Sequence, residues 1–162
     1  IHDNLRMAYC NGMNLDSRAH MMEGSLLAGM AFANAGVTAV HAFAYPIGAE
    51  FHIPHGTANS IMLAPVMEFN MMGNLQKFSY IAELMGRDIK NLTKREAAVQ
   101  AVDDMKVLAK DLQTPESLST FGVEDHHVDE LAQGVMKVTR LLANNPRKIE
   151  LQNAQAIYRQ VI

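Results

Sequence analysis

Apolar residues recur along this chain at intervals of three and four, and no stretch alternates with a period of two over the length of a strand. The pattern predicts helices from end to end. Asp16 reads as the N-cap of a helix running to about Asn34, with Met22, Leu26, Gly29, Met30 and Ala33 on one face, until Gly36 breaks it. Thr93 and Glu96 have the spacing of a capping box, followed by an apolar face of Ala97, Val99, Ala101, Val102, Met105, Leu108 and Ala109. A stripe of Val128, Leu131, Val135, Val138 and Leu142 predicts a helix over about 126–142, and a last helix starts near Glu150. With segments near 55–70 and 74–86, the expectation is about seven helices in a bundle-like, all-α domain.

Composition narrows the class. The 162 residues suit one domain, spanning 1–162, and 14 Lys plus Arg against 17 Asp plus Glu give a net charge of −3. That balance offers no electrostatic footprint for nucleic acid or for an anionic membrane surface. Cys10 is alone, which excludes an internal disulfide and a cysteine-based zinc cage and fits a cytoplasmic protein. Twelve methionines read as core filler. Ser25 to Ala49, 25 residues without Asp, Glu, Lys or Arg, has the length of a membrane span. Its Ala and Gly content, with Asn34, Thr38, His41 and Pro46 inside it, fits a buried helix pair better. The chain opens on Ile1, so a processed chain or a piece of a longer one is expected.

Candidate chemistry is concentrated between residues 32 and 59. Three of the seven histidines, His41, His52 and His55, fall there, and imidazole suits Zn and Fe. His41, flanked by Val37, Thr38, Ala44 and Tyr45, is expected to be largely buried. Fourteen residues on one straight helix would set His41 and His55 roughly 21 Å apart. Pro46, Gly48, Pro54 and Gly56 argue against a straight helix. A helix ending after Tyr45, a crossing loop and a new helix opening at Pro54 would bring both rings to one point. His55 would then ride on a helix N-terminus, which also favours an anionic ligand. Two histidines fall short of a metal site, which takes three or four protein ligands. His2, His20, His52, His126, His127, Asp3 and Asp16 are the spare candidates, and a satisfied core histidine is the plain alternative for His41.

The run Gly29-Met-Ala-Phe32-Ala-Asn34-Ala-Gly36, His41-Ala-Phe-Ala-Tyr45-Pro46-Ile-Gly48, Pro54-His55-Gly56-Thr-Ala-Asn59 resembles the signature of the iron-containing (group III) alcohol dehydrogenases, within the dehydroquinate-synthase-like fold. Leu63-Ala-Pro65-Val66-Met67-Glu-Phe-Asn70 and Asn145-Pro146-Arg147 resemble the family too, so nearly the whole chain matches that family's C-terminal, all-helical domain. The resemblance implies that His41 and His55 bind a catalytic Fe²⁺ or Zn²⁺ and that Phe32 lines the substrate cleft. Tyr45 is a departure, since many members carry a second histidine there. A phenol still donates a hydrogen bond but relays protons less well than imidazole near neutrality.

The resemblance also implies that an Asp and a further His, four residues apart, complete the metal site upstream of Ile1. It places NAD(P) on an N-terminal nucleotide-binding domain absent from this chain. The activity implied is interconversion of a small alcohol with its aldehyde or ketone, with the absent N-terminal domain as partner and a dimer or larger homo-oligomer as the assembly. The segment alone should bind metal weakly and bind no dinucleotide. Two rival readings stand beside this one: a self-contained small metalloprotein, hydrolase-like, completed by His52 and a carboxylate, and a non-catalytic helical interaction domain.

Overall fold

The computed structural model of the chain describes all 162 residues. Nine α-helices and two short 3₁₀ turns follow one another without a strand. They divide into two compact units, residues 1–36 and residues 37–162. No single helix is long and apolar enough to cross a membrane.

The first unit holds α1 (His2–Cys10) and α2 (Leu15–Ala35). The N-cap of α2 is Asn14, not Asp16: the Asn14 side chain accepts from the Ser17 backbone N–H at 3.0 Å, and Asp16 falls in the first turn instead. Gly36 ends α2 with φ of 72°, a left-handed value that favours glycine. The expected buried helix pair is half wrong. Ser17 is the only buried residue of α2, and every residue from Ser25 to Ala35 is exposed. Within its own unit α2 has only the nine-residue α1 beside it, too short to cover 21 residues.

The second unit carries the core. It contains α3 (Ala39–Phe51), α4 (His55–Met71), α5 (Leu75–Leu84), α6 (Lys94–Asp111), α7 (Val128–Lys137), α8 (Thr139–Ala143) and α9 (Leu151–Tyr158). The predicted 126–142 helix is divided: a 3₁₀ turn covers Asp125–His127, and Val138 breaks the chain between α7 and α8. At Val138 the backbone turns to φ −86°, ψ 53°, so that Leu141 as well as Val135 reaches the core. The Thr93–Glu96 capping box is present with both bonds. Val99, placed on the apolar face of α6 by the sequence, is exposed, and Ala98 is buried in its stead.

Phe43, Ile47, Met62, Leu131, Ile157 and Tyr158 form the centre of the core, drawn from α3, α4, α7 and α9. Phe78, Ala98 and Val102 make a smaller cluster between α5 and α6. Arg87 grips the buried Asp104 carboxylate with two nitrogens beside it. Of the methionines, Met62 is fully buried as expected, whereas Met13, Met22 and Met30 are exposed. The end of α4 is tied to the 145–147 turn. Asn70 and Asn145 exchange amide hydrogen bonds at 2.8 and 2.7 Å, and the Arg147 guanidinium lies 3.8 Å over the Phe69 ring.

Candidate active site

The site is built on α3 and the start of α4. The helix does not end after Tyr45, as the prolines suggested; α3 continues through Pro46 to Phe51. A proline inside a helix removes one N–H and crowds the carbonyl four residues back, here that of Ala42. Burial of Ala42, Phe43, Ala44 and Ile47 outweighs that local loss. The reversal comes later. His52 takes the left-handed conformation at φ 53°, Ile53 plugs into the core, and Pro54 stands as the N-cap of α4. His55 is therefore the first residue of α4, on a helix N-terminus as expected, and no side chain caps that end.

This reversal brings three rings together. The His41 and His55 ring centres are 5.2 Å apart, Tyr45 lies 6.1 Å from His55 with the two rings inclined by 30°, and 6.5 Å from His41 edge-on. His41 is half-buried, less than its neighbours in sequence suggested, while Tyr45 and His55 are exposed. Burial, and then the neighbouring His55, push the His41 imidazole below its usual pKa. Both effects favour the neutral ring, the form that ligates metals.

The donor set can be tested against a shared ion. Two imidazoles on one metal, at the usual metal–nitrogen distance of about 2.0–2.1 Å, hold their ring centres roughly 5 Å apart. The observed separation fits. Within residues 37–162 no third His, Cys, Asp or Glu completes the set. His52 is exposed at the end of α3 and makes no ring contact with the pair. The His126 and His127 rings lie tilted against each other with centres 3.7 Å apart, and His127 meets Phe51 edge-on, apart from this cluster. His2 and His20 pair with Asp3 and Glu23 on the first unit. Phe32 also belongs to that unit, in the last turn of α2, and is 56% exposed.

Comparison with known proteins decides the class. The model of the Fe-containing alcohol dehydrogenase family, C-terminal, matches residues 1–162. The chain belongs to that family. It is 40% identical to the 1,3-propanediol dehydrogenase of Klebsiella pneumoniae over 157 residues, 97% of this chain and 40% of that protein. A crystal structure of a 1,3-propanediol oxidoreductase superposes with a TM-score of 0.96 at 39% identity, over 99% of this chain and 42% of the other. A sulfoacetaldehyde reductase of Bifidobacterium kashiwanohense, solved in complex with NAD⁺, is similar at 25% identity and a TM-score of 0.77, over 99% of this chain and 40% of the other. The chain thus spans about 40% of the length of the relatives it matches. The all-helical fold expected from the sequence is that of the family's C-terminal domain.

Two contributions escaped the sequence reading. Tyr158, on α9, donates its hydroxyl to the Phe43 carbonyl at 2.7 Å and so braces α3 two residues from His41. Nothing in the sequence marks a pair 115 residues apart. Asn59 lies against His55, and its signal was available: a polar residue four positions on shares the same helix face.

Proposed function

We propose that this chain is the metal-bearing helical domain of an NAD(P)-linked alcohol dehydrogenase that interconverts a small alcohol and its aldehyde or ketone in the cytoplasm. The observation that carries the reading is the His41–His55 separation of 5.2 Å, in a chain of the iron-containing family. In this reading His41 and His55 hold Fe²⁺ or Zn²⁺, an Asp and a His four residues apart on the segment upstream of Ile1 complete the ligand set, and the dinucleotide site lies on an N-terminal nucleotide-binding domain. A metal held by His41 and His55 would supply Lewis-acid polarisation of the alcohol or carbonyl oxygen, and a bound nicotinamide would supply the hydride acceptor or donor.

The chain's own residues do the rest. Burial, and then the neighbouring His55, lower the His41 pKa and so favour the neutral ring, which offers one lone pair to a metal. Tyr45, stacked beside His55, offers its hydroxyl as a hydrogen-bond donor to the substrate oxygen. Its lack of an imidazole makes it a poorer proton carrier than a histidine there, so the proton leaves through solvent at the exposed face. Phe32 is a residue of the substrate cleft in this reading, as the family resemblance implies. A dimer or larger assembly is part of the same proposal.

The test is substitution in the full-length protein. His41→Ala should lose bound metal, and its turnover of small alcohols with NAD⁺ or NADP⁺ should fall by more than the roughly 100-fold typical of losing an outer-shell partner. A His41→Ala protein that keeps one metal per chain and full turnover refutes the assignment.

A further inference from the structure

Asn59 carries the only buried side-chain nitrogen or oxygen in the molecule without a hydrogen-bond partner, its Oδ1. The other end of the same carboxamide is occupied. Nδ2 donates to the His55 backbone oxygen at 2.8 Å, and it stands 3.1 Å from His55 Nε2 and 3.3 Å from Nδ1. The placement follows from helix geometry, because a side chain four residues on leans back over the preceding turn. No other protein group hydrogen-bonds the His55 ring. His41 is half-buried on α3, whereas His55 is exposed and has Asn59 as the hydrogen-bonding neighbour of its ring.

A neutral imidazole has one lone pair and one N–H. A metal ion takes the lone pair, and the N–H left on the other nitrogen needs an acceptor, which ligating histidines almost always have. Nδ2 is a donor and cannot serve. Oδ1 is an acceptor on the same group, and it reaches the ring by a rotation about Cβ–Cγ accompanied by a small χ1 shift that carries it clear of the His55 carbonyl oxygen, which Nδ2 now holds at 2.8 Å. When Nδ2 turns aside, the His55 carbonyl keeps the helical N–H four residues on.

We propose that Asn59 is the positioning residue for His55, its Oδ1 accepting the ring N–H opposite the nitrogen that binds metal and so setting the tautomer. The proposal rests on His55 being a ligand, as the functional reading holds. Asn59 touches neither metal nor substrate in this scheme.

The test compares Asn59→Ala, Asn59→Asp and His55→Ala in the full-length protein. Zn²⁺ affinity is measured by chelator competition, and the His55 ring nitrogens are followed by NMR of the Zn²⁺-loaded protein. Asn59→Ala should weaken Zn²⁺ binding about 10- to 100-fold and turn a hydrogen-bonded, slowly exchanging His55 N–H into a rapidly exchanging one. Asn59→Asp keeps an acceptor but no donor, so it should retain that slowly exchanging N–H and most of the affinity. Unchanged Zn²⁺ affinity in Asn59→Ala, with His55→Ala abolishing it, overturns the role of Asn59 alone. Equal loss in Asn59→Ala and Asn59→Asp overturns the acceptor assignment. Unchanged affinity in His55→Ala overturns the metal reading itself, and the proposal with it.

Discussion

Tyr158 is fully buried, its ring 5.0 Å from that of Phe43, and its hydroxyl is satisfied by the Phe43 carbonyl. Burial first, and the charge of Glu50 second, push its ionisation far above the ordinary phenol range. The consequence for stability has a definite sign. Above pH ~10 the unfolded chain gives up this proton while the folded chain keeps it, so folding stability falls as pH rises. This single group adds a slope of up to ~1.4 kcal/mol per pH unit in that range. Tyr158→Phe should cost about 0.5–1.5 kcal/mol at neutral pH through the lost hydrogen bond. It should also flatten the alkaline slope. Urea denaturation of both proteins at pH 7 and above pH 10 checks this, and equal alkaline slopes would contradict it. The residue scale is also where the sequence was most informative about chemistry. His41 and His55 stood out as a pair from their spacing around the prolines, and Tyr45 entered through the family resemblance, because motif residues are adjacent in sequence. Tyr158 could not, since its partner lies on another helix.

At the scale of elements, α3 shows why local rules mislead. Pro46 and Gly48 read as a helix end after Tyr45, yet the helix persists to Phe51 because its buried face repays the missing bond. The proline also needs room, and Gly134 on α7 provides it. A Cβ at Gly134 would lie 2.9 and 3.0 Å from Pro46 Cγ and Cβ, on a ring that cannot swing away. Gly134→Ala sets a helix-propensity gain of about 1 kcal/mol against an overpacking cost of about 1–3 kcal/mol. We expect the second to win. The variant should melt at lower temperature by differential scanning calorimetry, and α3, with His41 on it, should shift away from α7. A raised melting temperature would show that the α3–α7 contact is looser than the distances imply. The split of the predicted 126–142 helix has the same origin, for periodicity locates apolar faces but not the turn at Val138 that points two of them at one core.

At the scale of the whole molecule, buried apolar residues are confined to residues 37–162, and residues 1–36 bury Ser17 alone. The two units therefore differ in how they can be stable. A chain beginning at Val37 should keep its helical circular dichroism and one cooperative thermal transition, because both hydrophobic clusters lie within it. Residues 1–36 as a peptide should show little helix in water, since two helices with almost no buried surface are marginal. A non-cooperative melt of the 37–162 chain would overturn this division.

The sequence by itself determined the class of the fold, the capping of α6 and the resemblance to the family, and it set His41 and His55 in one motif, because helical period, capping chemistry and contiguous motifs are local properties. Tertiary structure alone decided where the chain reverses between His41 and His55, that Asn70 and Asn145 clasp across 75 residues, and that α2 lies exposed. Those outcomes depend on how much surface each alternative buries. That quantity is summed over residues far apart in the chain, and no local pattern contains it.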